Sequence, residues 1–133
     1  MKCVIVTPEK TVVDQDVRFV VAPLYDGEYG IDANHTPVVG RLGAGELRMT
    51  TLDGSIERWY VEGGFVEALD NTITALTHSA IPVETLSLDK CRAELDRALA
   101  MPANSDELIA MKEEAVLIAR AKVRVAEKGA KSK

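Results

Sequence analysis

Two cysteines and two histidines are all that this 133-residue sequence offers to metal or thiol chemistry. Cys3 and Cys91 stand far apart and fit no zinc or redox spacing, so both are expected as free thiols in a reducing cytoplasm. His35 lies in a loop and His78 near a strand end. Neither belongs to an HxxxH or paired-carboxylate pattern, and both read as surface histidines. Ser79 beside His78 is no triad, because sequence adjacency is not the geometry nucleophilic catalysis needs. The acid pairs Asp14/Asp16 and Asp26/Glu28 fall on strand or turn positions where acids serve solubility. No glycine pair opens a helix after a strand, so a phosphate loop is absent. No apolar run approaches the ~18 residues of a membrane span, and Met1 leads straight into a strand-like segment, so neither a signal peptide nor direct membrane insertion is expected. Positive charge is in deficit: 16 Lys and Arg against 21 Asp and Glu leave −5, the wrong sign for a general nucleic-acid binder. A catalytic constellation does not emerge.

The remainder is ordinary for a soluble domain, with 47% hydrophobic and 28% charged residues. Its charge is uneven, for residues 107–133 carry +3 and the rest −8. A basic end on an acidic body points to an acidic partner, or to a solvated helix face.

Up to Thr77 the apolar residues alternate or run in short β-branched blocks. Cys3–Val6 reads as a strand stopped by Thr7-Pro8. Val17, Phe19 and Val21 fall on one strand face, with Arg18 on the other. Asp26–Ile31 reads as a turn between short strands, and residues 34–37 as a second loop. Glu46–Leu52 and Ile56–Val61 form a hairpin about Asp53-Gly54, a two-residue turn signal. Gly63-Gly64 breaks the ladder. Phe65–Leu69 and Thr72–Thr77 form the last hairpin about Asp70-Asn71. Many short strands with turn residues between them indicate a sandwich or a barrel.

Pro82 ends this pattern. From Ser87 the period becomes helical, with Thr85 or Ser87 as cap. Leu88, Cys91, Leu95 and Leu99 share one stripe, with Ala98 at its edge. Met101-Pro102 stops that helix. Asn104 is placed to cap a second one, with Glu107 at the capping-box position. There Leu108, Met111, Ala115, Ile118, Ala119 and Ala126 share a stripe. Lys122 falls on it and can snorkel, while Arg120 and Arg124 point away. Gly129–Lys133 reads as a frayed tail. The fold class is therefore α+β: an N-terminal β-sandwich of short antiparallel strands over residues 1–84, then an antiparallel αα-hairpin over 85–133.

Four stretches carry a family resemblance. They are Val6-Thr7-Pro8-Glu9-Lys10; Asp26-Gly27-Glu28-Tyr29-Gly30-Ile31 continuing to His35-Thr36-Pro37-Val38; Gly45-Glu46-Leu47-Arg48 with Val61-Glu62-Gly63-Gly64-Phe65-Val66-Glu67; and Leu88-Asp89-Lys90-Cys91-Arg92-Ala93. In this order and spacing they resemble the epsilon subunit of bacterial F-type ATP synthases over nearly the whole chain. Asn34 stands where that family usually has glycine, Ala44 where it often has proline, and His78-Ser79 where an acidic or small pair is common.

The resemblance implies a non-catalytic rotor subunit of a proton-translocating synthase, peripheral at the cytoplasmic face of the cell membrane. It implies a sandwich at the foot of the central stalk against the gamma subunit and the c-subunit ring, with Glu28, Asn34 and His35 as contact residues. It implies a hairpin that folds down or extends toward the catalytic head, where the extended form inhibits ATP hydrolysis. Arg120 and Arg124 then meet an acidic segment of the catalytic beta subunits. No cofactor is required; ATP is the implied regulatory ligand, with Glu84, Asp89 and Arg92 as its site. From the residues alone, Asp89 with Arg92 equally makes a plain helix-start ion pair, and Glu113 or Glu127 can pair with Arg120 and Arg124 within the second helix. A free-standing β-sandwich binding module with a helical oligomerisation tail is the alternative.

Overall fold

The structure, a computed structural model, describes residues 1–131, with side chains through Gly129. It holds two compact units, Met1–Pro82 and a second beginning at Val83.

The first unit contains nine strands: β1 (Lys2–Val6), β2 (Thr11–Leu24), β3 (Gly27–Asp32), β4 (Val38–Arg41), β5 (Ala44–Thr51), β6 (Ile56–Glu62), β7 (Phe65–Leu69), β8 (Thr72–Leu76) and β9 (Ser79–Pro82). They form two layers, β4–β7–β8–β1–β2 and β3–β2–β5–β6–β9. β2 is 14 residues long and belongs to both. All pairings are antiparallel except β1 with β8, which is parallel. The core between the layers holds Ile5, Val17, Val20, Ile31, Leu47, Met49, Val61 and Ile73.

β2 departs from simple alternation. Val17 faces the core, but the register with β5 slips between Val17 and Phe19, and Val20 and Ala22 point inward after it. A bulge adds one residue and so exchanges the two faces of a strand. Phe19 therefore lies outside, its ring across Gly30, where a Cβ would come within 2.7 Å of Phe19 Cζ. The expected shared face of Val17, Phe19 and Val21 does not exist.

The turns also sort themselves by backbone sign. Asp70 and Asn71 both have positive φ (51° and 61°), as a two-residue hairpin of type I′ requires. Asp53 has no positive φ, so Asp53-Gly54 is not such a turn. Instead Gly54 N–H donates to Thr51 O at 3.0 Å and residues 52–55 make a longer loop, with Gly54 at φ +90°. Gly64 is confined absolutely, since a Cβ there would lie 1.8 Å from the carbonyl oxygen of Leu76. Asp26–Ile31 is mostly the strand β3 itself, and Ser79–Pro82 adds a further strand beside β6.

The second unit opens with a 3₁₀ turn, Val83–Thr85, followed by α1 (Leu88–Leu99) and α2 (Asp106–Lys131). Val83 belongs here because its buried side chain sits against Gly129, where a Cβ would come within 2.6 Å of Val83 Cγ1. Ser87 caps α1, its Oγ accepting from Lys90 N–H at 3.3 Å. Ser105, not Asn104, caps α2, its Oγ accepting from Leu108 N–H at 3.2 Å. This leaves Glu107 out of the capping-box position. Gly129 to Lys131 continue the helix rather than fray, and Ser132 and Lys133 of the expected tail lie outside the described residues. Cys91 and Ala98 are the buried centre of the α1 stripe, while Leu99 is exposed; on α2, Ala119 and Ala126 are buried and Met111 is exposed.

Candidate functional site

The residues singled out from sequence fall in three places. Glu28 lies on β3, at the layer's edge, facing away from the core. Its carboxylate accepts from Arg48 Nη1 at 2.9 Å, across the intervening β2. Arg48 also reaches Glu46 at 3.4 Å, and Glu46 accepts from Arg58 at 3.3 Å. Arg48 and Arg58 are directly opposed across β5 and β6. Like charges so placed repel, and the buried Glu46 carboxylate between them makes the arrangement stable. Glu28 is thus the exposed end of a four-residue charge ladder. Sequence reading singled out only this end. Alternation of Glu46 and Arg48 on one strand was the available signal, but it does not reveal which strand lies alongside.

Asn34 and His35 occupy the loop between β3 and β4. Asn34 N–H donates to Asp32 Oδ1 at 2.9 Å, which fixes the turn, and its side chain is exposed. His35 differs from the free surface histidine expected. It is half-buried, with Nδ1 3.0 Å from the Thr36 carbonyl oxygen and with Nε2 buried without a hydrogen-bond partner. His78 is exposed as expected, and its ring covers Gly63, where a Cβ would come within 2.7 Å of His78 Cδ2.

Glu84, Asp89 and Arg92 lie in sequence along the 3₁₀ turn and the first two turns of α1, and all three are exposed. Asp89 occupies the first helical turn, where the helix dipole favours a carboxylate. The Asp89–Arg92 pair that the spacing allows is not made. Arg92 instead faces Glu127 of α2 at 3.8 Å. Arg120 and Arg124 project from the outer face of α2, both exposed, and neither takes Glu113 or Glu127 as a partner. Sequence reading missed the cross-helix pairs entirely. Lys122, placed on the apolar stripe, does not snorkel to water but binds Glu94 of α1 at 3.2 Å.

Among the described residues no group of three or more His, Cys, Asp or Glu is placed to hold a metal, and no helix is long and apolar enough to cross a membrane. Both thiols are buried and unpaired with each other. Burial pushes the Cys3 thiol from 9.0 up to about 12, with the nearby Glu57 charge adding to it. Burial also raises Cys91, against the opposing pull of Lys122.

Two buried layers sharing β2, followed by a helical hairpin, define the class. Residues 1–83 match the family described as ATP synthase, Delta/Epsilon chain, beta-sandwich domain. An ATP synthase epsilon chain of Rhodopirellula baltica is 42% identical over 124 residues, 93% of this chain and 96% of that one. The epsilon chain of Propionigenium modestum, described as sodium ion specific, is 31% identical over 95% of this chain and 93% of its own. A chain in the mitochondrial ATP synthase of Euglena gracilis, a structure comprising OSCP, F1 and c-ring, superposes with a TM-score of 0.82. It is 22% identical and covers 94% of this chain and 79% of that one, a likeness of fold. The chain belongs to the ATP synthase epsilon chain family.

Proposed function

We propose that this chain is a non-catalytic subunit of the central stalk of an F-type ATP synthase, coupling the catalytic head to the membrane ring. The observation that carries the reading is the match to an epsilon chain over 93% of this chain, sandwich and hairpin together. It favours the rotor subunit over a free-standing binding module with a helical oligomerisation tail, because the relative matched over both parts is itself an ATP synthase chain. In this reading the outer end of the ladder at Glu28 and the loop holding Asn34 and His35 meet the gamma subunit and the c ring. The chain stays peripheral to the membrane and is held there by those partners.

The hairpin is the regulatory part. Most of the buried side chains of its two helices are small, and α2 leaves Arg120, Arg124 and the apolar Leu117 exposed. An exposed basic face gains long-range attraction to an acidic partner, here the catalytic beta subunits, and that attraction weakens with salt. The extended hairpin then restrains ATP hydrolysis. ATP is the regulatory ligand, with Arg92 as its phosphate-binding guanidinium and Glu84 and Asp89 as polar neighbours.

The test is ATPase activity of the reconstituted complex carrying the full chain, a chain ending at Pro82, or Arg120→Glu/Arg124→Glu. Both changes should raise hydrolysis severalfold while assembly on the stalk persists. Unchanged hydrolysis in both would remove the inhibitory role.

A further inference from the structure

The seam between α1 and α2 is chemically uneven. Near the start of α1 it is closed by small residues, with Cys91 of α1 and Ala126 of α2 both buried. Toward the interhelix turn it opens into a cleft of about 330 Å³ floored by Ala98, Ala115, Ile118 and Ala119. Glu94 stands on the wall of that cleft. Lys122, only 17% exposed, crosses from α2 to meet it, its ammonium 3.2 and 3.4 Å from the two carboxylate oxygens. Alanine methyls each bury little apolar area. A part-buried, doubly engaged ion pair therefore weighs heavily in holding such a seam, and losing one partner strands the other charge.

Lys122 also lies two positions from both Arg120 and Arg124, which places it on the opposite side of the helix. While the helices are together, Glu94 neutralises it. Once they part, α2 carries cations on both sides, with Lys122 on the face that also bears Ile118, Ala119 and Ala126.

We propose that Glu94 and Lys122 form an electrostatic clasp that holds the hairpin shut, and that Lys122 becomes an acid-seeking contact only when the clasp is released. This rests on the reading that the hairpin opens.

Cys91 is a built-in reporter, because it is buried in this seam, whereas Cys3 is buried in the sandwich and reacts only on its unfolding. Alkylation of the full chain by iodoacetamide, followed residue by residue, is the measurement. Glu94→Gln should speed Cys91 by about tenfold or more, the lower end of the weight of one charged hydrogen bond, and leave Cys3 unchanged. The exchange Glu94→Lys/Lys122→Glu should restore protection. If Cys91 reacts faster than Cys3 in the parent chain but ignores Glu94→Gln, or if the exchange fails to restore protection, the clasp is refuted while opening stands. If Cys91 and Cys3 always react together, the hairpin does not open, and both ideas fall. In the assembled complex, Glu94→Gln should deepen inhibition of hydrolysis, whereas Lys122→Gln, which opens the hairpin equally but removes the cation, should not. Equal inhibition by the two variants would refute the contact role.

Discussion

Glu46 shows how much one side chain can decide. It is 8% exposed, and its two oxygens separate guanidiniums that the strand register places face to face. Glu46→Gln keeps the shape but removes the charge, leaving Arg48 and Arg58 opposed with no anion between them. Loss of one partner from a largely buried charged group should cost about 2–3 kcal/mol, read as a lower denaturation midpoint with an unchanged slope. Arg48→Met in the same background should recover part of the loss, because it removes the repulsion that Glu46 offsets. A full-strength Glu46→Gln variant would show that water screens this ladder as it does an exposed pair. Thr77 works by similar economy. Its buried hydroxyl accepts from Glu62 N–H at 3.0 Å and lies within donor reach of the Glu62 and Ser79 carbonyl oxygens, tying the end of β6 to the start of β9.

Among the elements, β1 is the strand whose burial carries a measurable pH signature. Cys3 lies on it, fully buried, with its thiol held neutral up to about pH 12. The unfolded thiol loses its proton near 9.0, so the contribution of Cys3 is complete below that pH and is lost as pH rises toward 12. Stability monitored by Trp59 fluorescence should fall more steeply between pH 9 and 12 in the parent than in Cys3→Ala, although the variant is less stable at neutral pH. Equal slopes would mean the thiol ionises without penalty. The periodicity of the sequence sufficed for most strands, both helices and the change from one pattern to the other at Pro82. It failed where a single residue shifts register, at Val17–Phe19, because a bulge leaves no compositional mark. It also failed at Ser105, where two adjacent residues are equally good caps and only the backbone decides. Candidate site residues were legible as types, such as Arg92 in its motif. Their partners were not, since Glu127 and Glu94 come from pairing two helices whose relative register the sequence does not state.

At the scale of the whole molecule, a ligand that prefers one hairpin state moves the balance only by its differential affinity. ATP bound at Arg92 should protect the closed form, slowing Cys91 alkylation in proportion to its occupancy. Arg92→Ala should abolish that response. A response that survives Arg92→Ala would place the nucleotide elsewhere. Because Arg92 now faces Glu127 at 3.8 Å, phosphate has to compete with a carboxylate already there. Both groups are more than two-fifths exposed, so the competitor is weak.

The strand shared by both layers has a mechanical consequence. In most sandwiches the layers are joined by loops and held by apolar contact, which resists separation well and sliding poorly. Here 14 consecutive residues run from one layer into the other without leaving the ladder. A shearing load on one layer is therefore borne by covalent backbone in the other, before any side-chain packing has to yield. For a part proposed to turn under torque between a membrane ring and a catalytic head, that is a stiff joint made from a single strand.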